Sequence, residues 1–152
     1  MNTKRLVNVC ASVFLLGLMG VWAADEIRAT AILKIANGEF DLTRSANNQT
    51  FDQTGTSMDY HIQSVGTAAQ EQVTVISDVS SNGWAWFRNI TTNTDRSVDV
   101  GAQVVNGAST NFVPFIRLLA SEFCILRLHP TSNIWAKANV GAVNLEAWIN
   151  EF

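Results

Sequence analysis

From Ile27 onward, apolar residues recur at every second position in short runs, and no stretch keeps a helical period over three turns. Ile27, Ala29, Ala31, Leu33 and Ile35 alternate with Arg28, Thr30, Ile32 and Lys34, the pattern of a half-buried strand. Asn37-Gly38 follows, and then Phe40 and Leu42 alternate with Glu39 and Asp41. Asn-Gly supplies the positive φ values of a tight turn whose twist matches its strands, so this segment reads as a hairpin. The rest continues in short units: Met58 to Ile62, Gln72 to Val75, Trp84 to Phe87, Val98 to Val100, Phe112 to Leu118, Glu122 to Leu128, Trp135 to Ala138 and Val143 to Ile149. Gly, Asn, Ser and Thr clusters separate them. A count of about nine strands at this spacing predicts an all-β fold, an antiparallel β-sandwich of jelly-roll-like character. Pro114 lacks a backbone donor, which marks its run as an edge strand or the seat of a bulge.

Before Ile27 the pattern is of another kind. Lys4 and Arg5 precede an almost unbroken apolar run from Leu6 to Trp22, and Val21-Trp22-Ala23 offers modest residues for a cut after Ala23. That is the layout of a secretory signal peptide, read here as a hydrophobic leader helix over residues 1–23 ahead of a single β-domain over 24–152. A retained anchor is the alternative, since the run sits at the short end of the roughly 17 to 25 residues that span a bilayer. Use of the leader would place the domain in the periplasm, on the cell surface or outside the cell.

Composition narrows the function classes. Apolar residues make up 47% of the chain and charged residues 15%, which is the reverse of a disordered segment. Net charge is −3, and loss of Lys4 and Arg5 with the leader takes it to −5. The remaining lysines, Lys34 and Lys137, and the arginines are scattered rather than clustered, so nucleic acid is not an expected partner. Only Cys124 lies beyond the leader, in the apolar run Phe123 to Leu128. It reads as a small buried hydrophobe, and no disulfide or zinc motif can be built on it.

Candidate chemistry is sparse. Asp59 and His61 share a strand face, and a carboxylate can orient an imidazole for base catalysis. Ser64 would point the other way, so His61 reads as an exposed structural residue and His129, before Pro130, as turn surface. The aspartates Asp52, Asp59, Asp78, Asp95 and Asp99 form no short calcium loop. No enzyme active site, cofactor or metal is expected. Trp84 and Trp86 fall on one face of a strand. Buried, they are core, and burial of at least one is expected. Exposed, they would make a stacking platform for sugar rings, with Arg88 and Asn89 adding polar contacts. Trp148 lies on the polar face of its strand, opposite Leu145 and Ile149, where an outward tryptophan marks a subunit contact. Phe112 and Phe115 on the proline-bearing strand, with Phe123 and Ile125 on the next, present further apolar surface of that kind. Asn48-Gln49-Thr50 and Asn89-Ile90-Thr91 match the N-glycosylation pattern.

The order of landmarks carries a further signal. Ala31-Ile32-Leu33-Lys34-Ile35-Ala36-Asn37-Gly38 is followed by Gly83-Trp84-Ala85-Trp86-Phe87-Arg88-Asn89-Ile90 and then by Thr92 to Gly101. Phe112-Val113-Pro114-Phe115-Ile116-Arg117-Leu118, a turn at Leu119-Ala120-Ser121-Glu122, Ile125-Leu126-Arg127-Leu128, Ile134 to Ala138 and Val143 to Glu146 complete it. This order resembles a widespread family of small β-sandwich structural proteins of tailed bacteriophages, in which a glycine commonly stands where Ser121 is here. The resemblance implies a virion-associated, non-enzymatic protein that works by assembling with itself and with other virion or surface proteins. A leader departs from that pattern, and membrane contact is expected only through an uncleaved leader. The alternative is an exported carbohydrate- or surface-binding module built on Trp84, Trp86, Arg88 and Asn89.

Overall fold

The computed structural model describes residues 27–37, 40–51, 53 and 55–152, and the leader read at residues 1–23 lies outside them. Among the described residues no helix is long and apolar enough to cross a membrane. The chain divides into two compact units, Met1–Asp52 and Gln53–Phe152.

In the first unit, β1 (Ile27–Asn37) and β2 (Phe40–Phe51) form an antiparallel pair. Asn37 pairs with Phe40, so Asn37 itself closes the ladder at the hairpin end. A bulge falls between Ala29 and Ala31, and Thr30 Oγ1 accepts a hydrogen bond from Asn48 N at 3.2 Å. Asn48 takes a φ of 50°, in the left-handed region that asparagine tolerates. Of the residues expected on its half-buried face, Ile27 and Ala29 are half-buried, whereas Ala31 and Leu33 are exposed, Leu33 by 55%.

The second unit holds β3 (Met58–Val65), β4 (Glu71–Gln72), β5 (Asn82–Asn89), β6 (Val98–Asn106), β7 (Ser109–Leu118), β8 (Phe123–Arg127), β9 (Trp135–Ala138) and β10 (Val143–Glu151). They form two four-stranded sheets, ordered β3-β10-β5-β8 and β4-β9-β6-β7, with every neighbouring pair antiparallel. Within this unit the described strands alternate between the two sheets at nearly every step, and only β6 and β7 are consecutive neighbours. Inward residues of both sheets meet in one cluster, with Phe87, Leu145 and Ile149 from the first and Val98, Val100 and Ala136 from the second. The fold is therefore all-β and sandwich-like.

β7 is an edge strand, and a bulge lies opposite Pro114 between Val100 and Gly101. Both consequences of a missing proline donor are thus present. Ser121 has a φ of 68°, so the turn into β8 does occupy the left-handed conformation that favours glycine. The strand expected at Gln72 to Val75 shortens to β4. Val73 is instead 1% exposed in the core, its N–H donating to Ile134 O at 2.8 Å.

Two carboxylates fasten the second unit. Glu151 accepts from Thr56 N, Ser57 N, Ser80 N and the Ser80 hydroxyl, the last at 2.6 Å. The Ser80 hydroxyl, aided by the backbone donors, holds its carboxyl below the usual range. Asp99, 8% exposed, binds the Arg117 guanidinium at two points, 2.7 and 3.1 Å, and Arg117 lowers its pKa in turn. A carboxylate whose pKa is lower folded than unfolded contributes stability above its unfolded pKa and loses it as pH falls through the folded value. Stability should therefore decline as pH drops below the ordinary glutamate value of 4.5. In acid titration followed by circular dichroism, Glu151→Gln should flatten that decline. A variant as acid-sensitive as the parent would show that these four donors contribute nothing through charge.

Candidate functional site

β3 reverses the usual assignment of its alternating faces. Met58, Tyr60 and Ile62 are 54%, 58% and 53% exposed, whereas Asp59 is buried and His61 half-buried. The inward polar side chains are paired. His61 Nδ1 lies 3.0 Å from Asp59 Oδ2, and that oxygen also accepts from Ile76 N at 3.3 Å. Gln63 accepts from Thr74 N and donates to Gln72 O. These bonds replace the apolar contacts that an inward Tyr60 or Ile62 would have made, so the apolar set faces outward. His61 is accordingly not the exposed residue expected, and its Nε2 is buried without a hydrogen-bond partner.

The other three strands of this sheet add to the same outer face. On β5, Ala85, Phe87 and Asn89 point into the core while Trp84, Trp86 and Arg88 point out. On β10, Trp148 is outward and 46% exposed, and on β8 so are Phe123 and Ile125. Strand register aligns them. Trp148 pairs with Tyr60 on one side and Trp86 on the other, and Trp86 pairs with Ile125. A straight row, Tyr60–Trp148–Trp86–Ile125, thus crosses all four strands. The next row reads Ile62–Glu146–Arg88–Phe123, apolar at both ends and charged in the middle.

Ring contacts fix these side chains. Tyr60 meets Trp148 edge to face, with centroids 6.2 Å apart and planes at 77°. Trp86 stacks on Phe123 at 4.5 Å and 11°. Glu146 ties the rows together, accepting from the Tyr60 hydroxyl at 3.2 Å and from Trp86 Nε1–H at 3.3 Å. That carboxylate raises the Tyr60 pKa, first through the hydrogen bond. Two hollows flank Trp148. One of about 220 Å3 is lined by Met58, Trp84, Trp86 and Ile125 among others, and one of about 490 Å3 by Tyr60, Trp86, Arg88 and Glu146.

The two residue sets expected from sequence therefore largely merge. Phe123, Ile125 and Trp148 share one face with Trp84, Trp86 and Arg88, while Phe112 and Phe115 lie on β7 in the other sheet. Neither tryptophan of β5 is fully buried. Asn89 leaves the platform altogether. It is 0% exposed, and its amide donates to Leu118 O at 3.2 Å and Arg96 O at 3.4 Å while its Oδ1 accepts from Thr91 N. Burial also closes its glycosylation motif. Sequence reasoning missed Met58, Tyr60, Ile62 and Glu146, and the signal for Glu146 was its parity with Trp148 on β10.

Burial in the flank of the core pushes the Cys124 thiol up to about 11, so it is protonated and inert at neutral pH. His129 sits exposed at its turn, Nδ1 at 3.1 Å from Thr131 Oγ1. Among the described residues no three His, Cys, Asp or Glu side chains gather to hold a metal. Comparison with known families, curated proteins and solved structures finds no match.

Proposed function

We propose that the chain is a non-enzymatic structural protein that docks to other protein subunits through the outer face of the β3-β10-β5-β8 sheet. The observation that carries this is the Tyr60–Trp148–Trp86–Ile125 row, an unbroken aromatic and aliphatic ladder on the solvent side of a sheet. A contiguous apolar patch of this extent is rare on a monomer and marks an interaction site. The strand order β3-β10-β5-β8 and β4-β9-β6-β7 supports a jelly-roll reading, an architecture that serves viral capsid and lectin domains alike. With the landmark order described above, it supports a virion-associated role.

A second reading, a carbohydrate-binding module, draws on the hollow between Trp86, Arg88, Glu146 and Trp148. Met58, Ile62 and Ile125, each more than half exposed, weigh against it, since they would leave sugar hydroxyls without partners.

Trp148→Glu is the direct test. The substitution lies on the solvent side, so circular dichroism and thermal unfolding should stay near the parent. Sedimentation should then show loss of assembly, because a buried, unpaired carboxylate at an interface centre costs several kcal/mol. Assembly equal to the parent's would remove this face as the docking surface. Saturable glycan binding by a monomer, lost in Trp86→Ala, would instead establish the second reading.

A further inference from the structure

We infer that the occupant of this face is a second copy of the same chain, stacked face to face about a two-fold axis parallel to the strands between β5 and β10. This rests on the docking reading above and specifies the partner. An isologous interface must be self-complementary, and the register supplies that property. β5 and β10 are the two central strands of the sheet, so the axis exchanges β5 with β10 and β3 with β8.

Residues level with one another across the sheet then meet between copies. Glu146 and Arg88 are direct cross-strand partners, so Glu146 of one copy faces Arg88 of the other, twice per dimer. Trp148 faces Trp86 of the second copy, Tyr60 faces Ile125, and Ile62 faces Phe123. Within these two rows every apolar residue meets an apolar one and each charge its opposite, while in the adjoining row Met58 falls opposite Arg127, at the rim of the pairing.

The area also suits such a pair. Met58, Tyr60, Ile62, Phe123, Ile125 and Trp148 are each about half exposed. At about 200 Å2 for a large side chain they offer roughly 600 Å2, to which the partly exposed Trp84 and Trp86 add. A standard interface needs about 800 Å2 per partner. Like charges do not crowd the centre, because each row carries at most one acid and one base.

The test is sedimentation velocity on the full-length chain with charge-reversed variants. The parent should be a dimer. Arg88→Glu sets a second carboxylate against Glu146 of the other copy, and Glu146→Arg places two guanidinium groups together, so each alone should weaken pairing roughly tenfold or more. Mixing the two variants restores an opposite-charge contact between copies, and dimers should re-form with one subunit of each. Circular dichroism of each variant checks the fold, and Arg88→Glu leaves the Tyr60 and Trp86 bonds to Glu146 untouched. A mixture that stays monomeric, with both variants folded, would overturn the axis proposed. A parent monomer at about 50 μM would overturn self-pairing, leaving the face to a different protein. A parent dimer that Trp148→Glu leaves intact would overturn both this pairing and the docking surface itself.

Discussion

Phe87→Ala should cost about 3 to 5 kcal/mol of unfolding free energy, the range for emptying an aromatic site in a packed core. Phe87 is 0% exposed and sits on β5, a central strand. Its cross-strand neighbours are Ala147 on β10 and Cys124 on β8, and both are small. Ala85, Ala136, Ala138 and Ala147 are all buried with it, so large side chains are few and each fills much of the space between the sheets. Neither small cross-strand neighbour is long enough to collapse into the hole, which places the loss toward the upper part of that range. Urea unfolding followed by tryptophan fluorescence reads it directly. A loss under about 1 kcal/mol would mean that the two sheets do not share the close-packed core described.

Gly101→Ala should be nearly as damaging, for a backbone reason. The bulge between Val100 and Gly101 brings β7 so close that a Cβ at Gly101 would run into the carbonyl oxygen of Val113 and lie 2.7 Å from Pro114 Cα. Both obstacles are main chain and cannot swing aside. Relief requires β6 and β7 to separate at the centre of their pairing, next to the buried Val98 and Val100. Overpacking of this kind costs about 1 to 3 kcal/mol, and a rigid obstacle puts it at the top of that range. The melting temperature should fall by several degrees, with amide exchange faster along Val98–Asn106. An unchanged melting temperature would show that the two strands are not held as closely as the bulge implies.

The legible parts of this fold were those where alternation coincided with burial. β10 is the plainest case, with Val143, Leu145, Ala147 and Ile149 all at 1% exposure or less and the outward Trp148 identifiable by parity alone. β5 was equally regular, and its period places Asn89 on the core side with Phe87. Grouping Asn89 with Trp84 and Trp86 failed because a polar residue at a strand end reads as surface. Here it is a buried donor that closes the carbonyls of Arg96 and Leu118. β3 failed for the opposite reason. A strand that alternates apolar and polar says only that its faces differ, and hydrogen bonding of Asp59, His61 and Gln63 decided which face went in. The outer reach of β6 and β7 gave no signal, since Val104, Val105 and Ser109 to Asn111 are exposed whichever face they occupy. The outer aromatic face itself was visible only in fragments, because its rows are set by pairing between strands far apart in sequence.

That same remoteness governs how the face comes into being. β10 follows every other described strand, yet it lies between β3 and β5 and holds Trp148 between Tyr60 and Trp86. Loops that long are slow to close, and the strands awaiting a partner stay open meanwhile. A growing chain therefore carries Tyr60 and Trp86 without the strand that aligns them until the residues from Val143 onward are made. The Tyr60–Trp148–Trp86 row is complete only once β10 has taken its place between β3 and β5.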